Sequence, residues 1–173
     1  SNIVIFLITM FYPSIINELA FNPIYFHNLP KMYTIFTSMF LHGGFYHLLF
    51  NMIGLFFIGL PFEHEVGTRK FTAIYFISGV SAALFFSLYR FGEIYLIGAS
   101  GAIFGILGAF AVSYPFKKVV VPLPIFVILF IRMPVIVLAL LYAGIETLYT
   151  LFGSPDGVAH SAHLGGFIAG VFL

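Results

Sequence analysis

From Phe71 to Tyr89 the chain runs without a single charged side chain, and Lys70 and Arg90 stand at its two ends. A helix needs about 20 mostly apolar residues to cross a bilayer, because lipid offers no partner for backbone N–H and C=O groups. Apolar stretches recur at Asn2–Leu19, Phe45–Leu60, Ser100–Tyr114, Pro134–Phe152 and from Ala159 onward. With 61% hydrophobic and 8% charged residues and a mean hydropathy of +1.10, the chain is too apolar for a soluble domain. The pattern predicts an integral membrane protein: an all-α, polytopic, six-transmembrane-helix bundle forming one domain over residues 1–173. A net charge of +1 with scattered basic residues leaves no footprint for nucleic acid. Without cysteine there are no disulfides, thiolate metal sites or cysteine nucleophiles.

The connections are less uniform. The apolar start lacks a basic leader and a cleavage site, so it reads as a retained span. Residues 24–41 are polar and aromatic and are expected as short helices at the membrane surface. Pro61 marks the expected exit of the second span, and Glu63–Lys70 reads as a charged turn. A loop is expected from Arg90 to Ala99. Residues 119–131 are apolar but broken by Pro122 and Pro124, which predicts a packed connector rather than a span. Gly153–Gly157 is a turn by composition. Arg69, Lys70, Lys117, Lys118 and Arg132 follow spans two and four, against Lys31 and Arg90 on the other side. That bias places both termini in the cytoplasm.

Spans four and six then cross in the same direction, both entering from the outer side. Ser100 opens the fourth; His160 and His163 open the sixth. Serine and histidine therefore share a depth near the outer face. Gly101, Gly105 and Gly108 line one face of span four, and Gly166 and Gly170 continue the face of His163, so the two helices can pack closely. Small-residue spacing is also ordinary membrane-helix glue, and a lone histidine is often satisfied by a neighbouring helix. Shared depth favours a Ser100–His163 nucleophile–base pair. His47 and Asn51, at i and i+4 near the outer end of span two, and the Ser100 N–H are candidate donors to an oxyanion; a polar pair bridging two helices is the plainer reading. Glu146, inside span five, is expected to make a helix-packing hydrogen bond. Asp156 lies in the turn before span six, and a dyad without an orienting acid is the simpler expectation.

Gly98-Ala99-Ser100-Gly101, His47-x-x-x-Asn51 and Ala162-His163-Leu164-Gly165-Gly166 together resemble the rhomboid family of intramembrane serine proteases. The resemblance covers the six-span core and implies its basic six-span form. It implies Ser100 as nucleophile, His163 as general base, and His47, Asn51 and the Ser100 backbone as oxyanion hole. Phe104 resembles the family's aromatic that packs on the imidazole, while His160 and Gly98 fall at positions that line the site. Glu63 with Gly67, and His42, match structural positions. Tyr33-Thr34 stands where many members carry Trp-Arg.

Other classes fit less well. A membrane metalloprotease needs His-Glu-x-x-His, which is absent; an intramembrane aspartyl protease needs two aspartates, and Asp156 is the only one. The alternatives are a non-cleaving membrane-protein binder of the same fold and a small transporter, although no internal repeat is visible. The reading is an endopeptidase of the plasma membrane, its site opening to the outer side. Its partners are single-pass transmembrane substrates and the lipid bilayer; it uses no metal, cofactor or nucleic acid.

Overall fold

The structure is a computed structural model that describes residues 1–90, 94–124 and 128–173; parts of the expected 90–99 loop and 119–131 connector lie outside the described residues. Helices α1 (Asn2–Phe11) and α2 (Ser14–Leu19) divide the stretch predicted as one span. Pro13 causes the break: it lacks an N–H, and its ring drives Tyr12 out of helical backbone, to φ −129° and ψ 71°. The connector is folded as expected into short pieces. These are 3₁₀ turns at Pro23–His27, Leu29–Lys31 and Ser38–Phe40, and helix α3 (Thr34–Thr37). They are tied back to the first helices by Thr37 Oγ1 donating to the Leu19 carbonyl at 2.7 Å and the Tyr33 hydroxyl donating to that of Glu18 at 3.0 Å.

Helix α4 (Phe45–Gly54) does not end at Pro61. It passes through a π turn at Leu55–Gly59 into α5 (Leu60–Val66). The wide turn resets the hydrogen-bond ladder, so Pro61 falls in the first turn of α5, where an N–H is not needed. The charged turn expected at 63–70 shrinks to Gly67, whose φ of +80° reverses the chain directly into α6 (Thr68–Tyr89). Next come α7 (Ser100–Ser113), α8 (Val135–Phe152) and α9 (His160–Val171).

Between α7 and α8 the all-α expectation fails. Strands β1 (Lys118–Pro124) and β2 (Ile128–Pro134) pair antiparallel, with Lys118 opposite Pro134 and Val121 opposite Ile131. Val119, Val120, Val121 and Ile131 are β-branched and favour extended backbone. Prolines are excluded from a helix interior but tolerated on the open edge of a two-stranded ribbon.

Among the described residues three helical stretches suffice, by length and composition, to cross a membrane: Phe45–Val66, Thr68–Tyr89 and Val135–Phe152. The fold is mostly helical, with α7 at its centre, buried along nearly its whole length. Its glycines explain how. A Cβ on Gly166 or Gly170 of α9 would overlap the carbonyl oxygen of Gly101 or Gly105 of α7, and one on Gly105 would overlap Ser78 of α6. The α7–α9 contact is therefore backbone against backbone, which only glycine permits.

Gly166→Val should lower stability by at least about 3 kcal/mol, since the clash falls on backbone that cannot rotate away. Gly144→Ala, in α8 with nothing within 4 Å of the added methyl, should be neutral or gain up to about 1 kcal/mol. Thermal melts of both variants in detergent micelles measure this.

Candidate active site

Ser100 is the first residue of α7, so its N–H has no acceptor within the helix. The loop before it is held by distant residues. Phe21 and Leu96 exchange backbone hydrogen bonds at 3.1 and 2.7 Å, and the Gly98 N–H donates to the Ser38 carbonyl at 2.9 Å. Gly98 has φ +118°, backbone that side chains rarely adopt. A Cβ there would lie 2.6 Å from His47 Nε2 and 3.7 Å from Ser100 Oγ. The imidazole and the hydroxyl thus face one gap, kept open by the absence of a side chain.

His163 Nε2 lies 2.7 Å from Ser100 Oγ. The ring is stacked on Phe104, one turn into α7, with centroids 4.5 Å apart and planes 8° from parallel. For the serine hydroxyl to donate to Nε2, the ring hydrogen must sit on Nδ1. Glu146 Oε1 of α8 lies 3.2 Å from that nitrogen, close enough for strong attraction to an N–H, but off the line of a hydrogen bond. The other oxygen, Oε2, lies 2.6 Å from His160 Nδ1. Glu146 therefore sits between both histidines of α9.

His160 lies behind His163 rather than on the cleft in front of Ser100. Its Nε2 is 3.2 Å from both carboxylate oxygens of Asp156, and its ring packs on Tyr149 with centroids 4.5 Å apart. It lines a second cavity of about 290 Å³. Asp156 accepts the Val158 N–H at 2.9 Å, and this bond holds its carboxyl below the usual carboxylate range.

Across the gap, the Gly43 N–H donates to His47 Nδ1 at 3.3 Å, which leaves the hydrogen of a neutral His47 on Nε2, toward Gly98. Asn51 commits one amide hydrogen to the His47 carbonyl at 2.7 Å; among the described residues the second has no acceptor. His42 is buried edge-on against His47, with centroids 5.0 Å apart, and burial, reinforced by His47, pushes its imidazole down to about 4. A cleft of about 850 Å³, lined by Ser100, His163, His47, Asn51, Phe104 and Glu146 among others, opens onto the group and reaches Val120–Pro122 of the hairpin.

The residue that sequence reasoning underrated is Glu146. A carboxylate within an apolar span is costly and rarely idle, and two histidines at i and i+3 on the next helix were the available signal.

The profile of the Rhomboid domain matches residues 29–173. RHOMBOID-like protein 5 of Arabidopsis thaliana is 35% identical over 144 residues, 83% of this chain and 43% of that protein. Rhomboid protease AarA of Providencia stuartii is 40% identical over 151 residues, covering 79% of this chain and 52% of that protein. Inactive RHOMBOID-like protein 8 of Arabidopsis thaliana is 37% identical over 79 residues, covering 46% and 22%. The chain spans about half or less of the length of these relatives.

The depressed His42 carries a pH signature. The unfolded chain takes up this proton near pH 6.5 and the folded chain only near 4, so the stabilisation is complete above about pH 6.5 and lost as pH falls toward 4. The loss should approach about 3 kcal/mol at the acid end. His42→Phe should flatten that part of the stability–pH curve, read from thermal melts between pH 7 and 4.

Proposed function

This chain belongs to the rhomboid family, and from that premise we propose that it is an intramembrane serine endopeptidase cutting transmembrane segments of single-pass membrane proteins. The observation that carries the proposal is the 2.7 Å approach of His163 Nε2 to Ser100 Oγ, two atoms joined across 63 residues of sequence. We read the chain as one six-span membrane domain over residues 1–173, with α4–α5, α6 and α8 as its long crossings. The stretch containing α1 and α2 and the shorter α7 and α9 complete the set. Both termini are assigned to the cytoplasm of a plasma-membrane protein. Helix α7 has 14 residues and is about 21 Å long, less than the hydrocarbon core, which suits a serine lying below the outer surface.

The steps follow from the atoms. Ser100 Oγ attacks the scissile carbonyl carbon while its proton passes to His163 Nε2. Negative charge then develops on the carbonyl oxygen. The Ser100 N–H at the start of α7, the His47 Nε2–H and the free Asn51 amide hydrogen are the donors for it. His163 next gives its proton to the leaving amine, and the C–N bond breaks to leave an ester on Ser100. Water from the cleft, deprotonated by His163, hydrolyses that ester. Phe104 holds the plane of the imidazole through the cycle, and Glu146 favours the tautomer with hydrogen on Nδ1. The substrate helix must unwind locally to offer its carbonyl.

The purified protein should react with a fluorophosphonate serine-hydrolase probe and cleave a transmembrane reporter. Ser100→Ala and His163→Ala should abolish both, and Asn51→Ala should slow cleavage about 10²-fold. Labelling of folded Ser100→Ala would overturn the nucleophile. Absence of both labelling and cleavage in the folded parent would favour a non-cleaving binder, the class to which the relative named inactive points.

A further inference from the structure

We propose that Glu146, His160 and His163 form a binding site for a zinc-type divalent ion, and that its occupancy silences the serine. The inhibitory half of this proposal rests on the reading of His163 as base; the ion site itself does not.

One ligand atom from each of the three residues can be chosen so that all lie within 4.8 Å of one another, and all three residues are buried. The chemistry of the set is selective. Two imidazoles with one carboxylate and no thiolate suit Zn²⁺, Co²⁺ or Ni²⁺, whereas Mg²⁺ and Ca²⁺ need oxygen ligands.

An independent observation points the same way. His163 Nδ1 is buried without a hydrogen-bond partner, in a residue only 9% exposed. The nearest carboxylate oxygen, at 3.2 Å, lies off the hydrogen-bond direction. This nitrogen faces the group formed by Glu146 and His160.

The outer contacts complete a ligand's usual surroundings. A metal-bound histidine normally donates its other N–H to a carboxylate or another oxygen acceptor. Asp156 stands 3.2 Å from His160 Nε2, and Ser100 Oγ stands 2.7 Å from His163 Nε2. Both rings can therefore turn a lone pair on Nδ1 toward the Glu146 carboxylate.

Bonds of 2.0–2.2 Å place tetrahedral ligand atoms about 3.3 Å apart. The His163 Nδ1–Glu146 Oε1 separation of 3.2 Å already matches; His160 Nδ1 lies 2.6 Å from the other oxygen, Oε2, so the carboxylate must turn to present one oxygen to an ion shared by both rings. The cleft that reaches Glu146 and His163 supplies an entry path and a water for the fourth position.

The proton balance explains the inhibition. Binding through Nδ1 leaves each ring one hydrogen, on Nε2, and a proton that His160 Nδ1 carries beyond that one leaves to solvent. His163, bound through Nδ1, moves its one hydrogen from there to Nε2 by exchange with water. That nitrogen then donates to Ser100 Oγ and has no lone pair to accept the serine's proton.

The test uses the full chain in detergent micelles, with folding of every variant checked by circular dichroism. Titrated Co²⁺ should produce the visible absorption of a tetrahedral complex, saturating at one ion per chain and displaced by Zn²⁺. His160→Gln and Glu146→Gln should abolish the band. Asp156→Asn, which meets His160 at Nε2 rather than at Nδ1, should weaken binding about 10- to 100-fold. Zn²⁺ should suppress fluorophosphonate labelling of the parent, EDTA should restore it, and Asp156→Asn should need about 10- to 100-fold more Zn²⁺ for half-suppression. No band in the folded parent, or a band unchanged in His160→Gln and Glu146→Gln, overturns the site. A band without suppression of labelling overturns the inhibition. A parent that is not labelled even without metal defeats the protease reading separately, and the Co²⁺ spectrum still decides the ion site.

Discussion

Contact of α7 and α9 through bare backbone is the constraint on which the rest of this structure depends. Lipid tails are as apolar as side chains, so burial gives membrane helices little reason to associate; close packing must do it. Gly101 and Gly105 on one helix and Gly166 and Gly170 on the other remove the side chains that would keep the axes apart. Each helix is rigid and carries one member of the serine–histidine pair. Their spacing is therefore set by the helix contact, not by a flexible loop. Phe104 belongs to the same arrangement: one turn beyond Ser100 on α7, it stacks on the imidazole carried by α9.

Electrostatics completes what packing begins. Glu146 is a carboxylate buried within an apolar helix, an arrangement tolerated only with close polar partners. Its two oxygens lie against the Nδ1 atoms of His160 and His163, and His160 passes the connection on to Asp156 in the loop. The orientation of the ring beside Ser100 is thus linked to a surface turn through two carboxylates and a second histidine.

Much of this was legible in the residues. Parity of crossing put Ser100 and His163 at one depth without any coordinates, and the glycine spacing indicated which faces meet. The misreadings each have a local cause. Pro13 broke a helix that hydropathy alone would continue, because hydropathy is blind to a missing N–H. Pro61 broke nothing, because the π turn before it absorbed the mismatch, and no composition signals a π turn. The hairpin at 118–134 is apolar enough to read as membrane-packed chain, and its β-branched residues were the cue to extended structure. Glu146 could be placed on span five but not turned toward α9, since rotation about a helix axis is a tertiary property. The same limit hides a three-residue ligand set drawn from two helices: no linear motif brings Glu146 beside His160 and His163.

The distance in sequence between the two ends of the 2.7 Å contact has a consequence for how such a protein is made. Ser100 leaves the ribosome well before His163, 63 residues later. At about 5–20 residues per second that interval is roughly 3–13 s. Throughout it the inserted chain holds its serine, the loop clamped by Phe21 and Ser38, and His47 of α4, yet lacks the imidazole that lies 2.7 Å from the hydroxyl. The order of synthesis therefore keeps the two halves of this contact apart until α9 docks on α7.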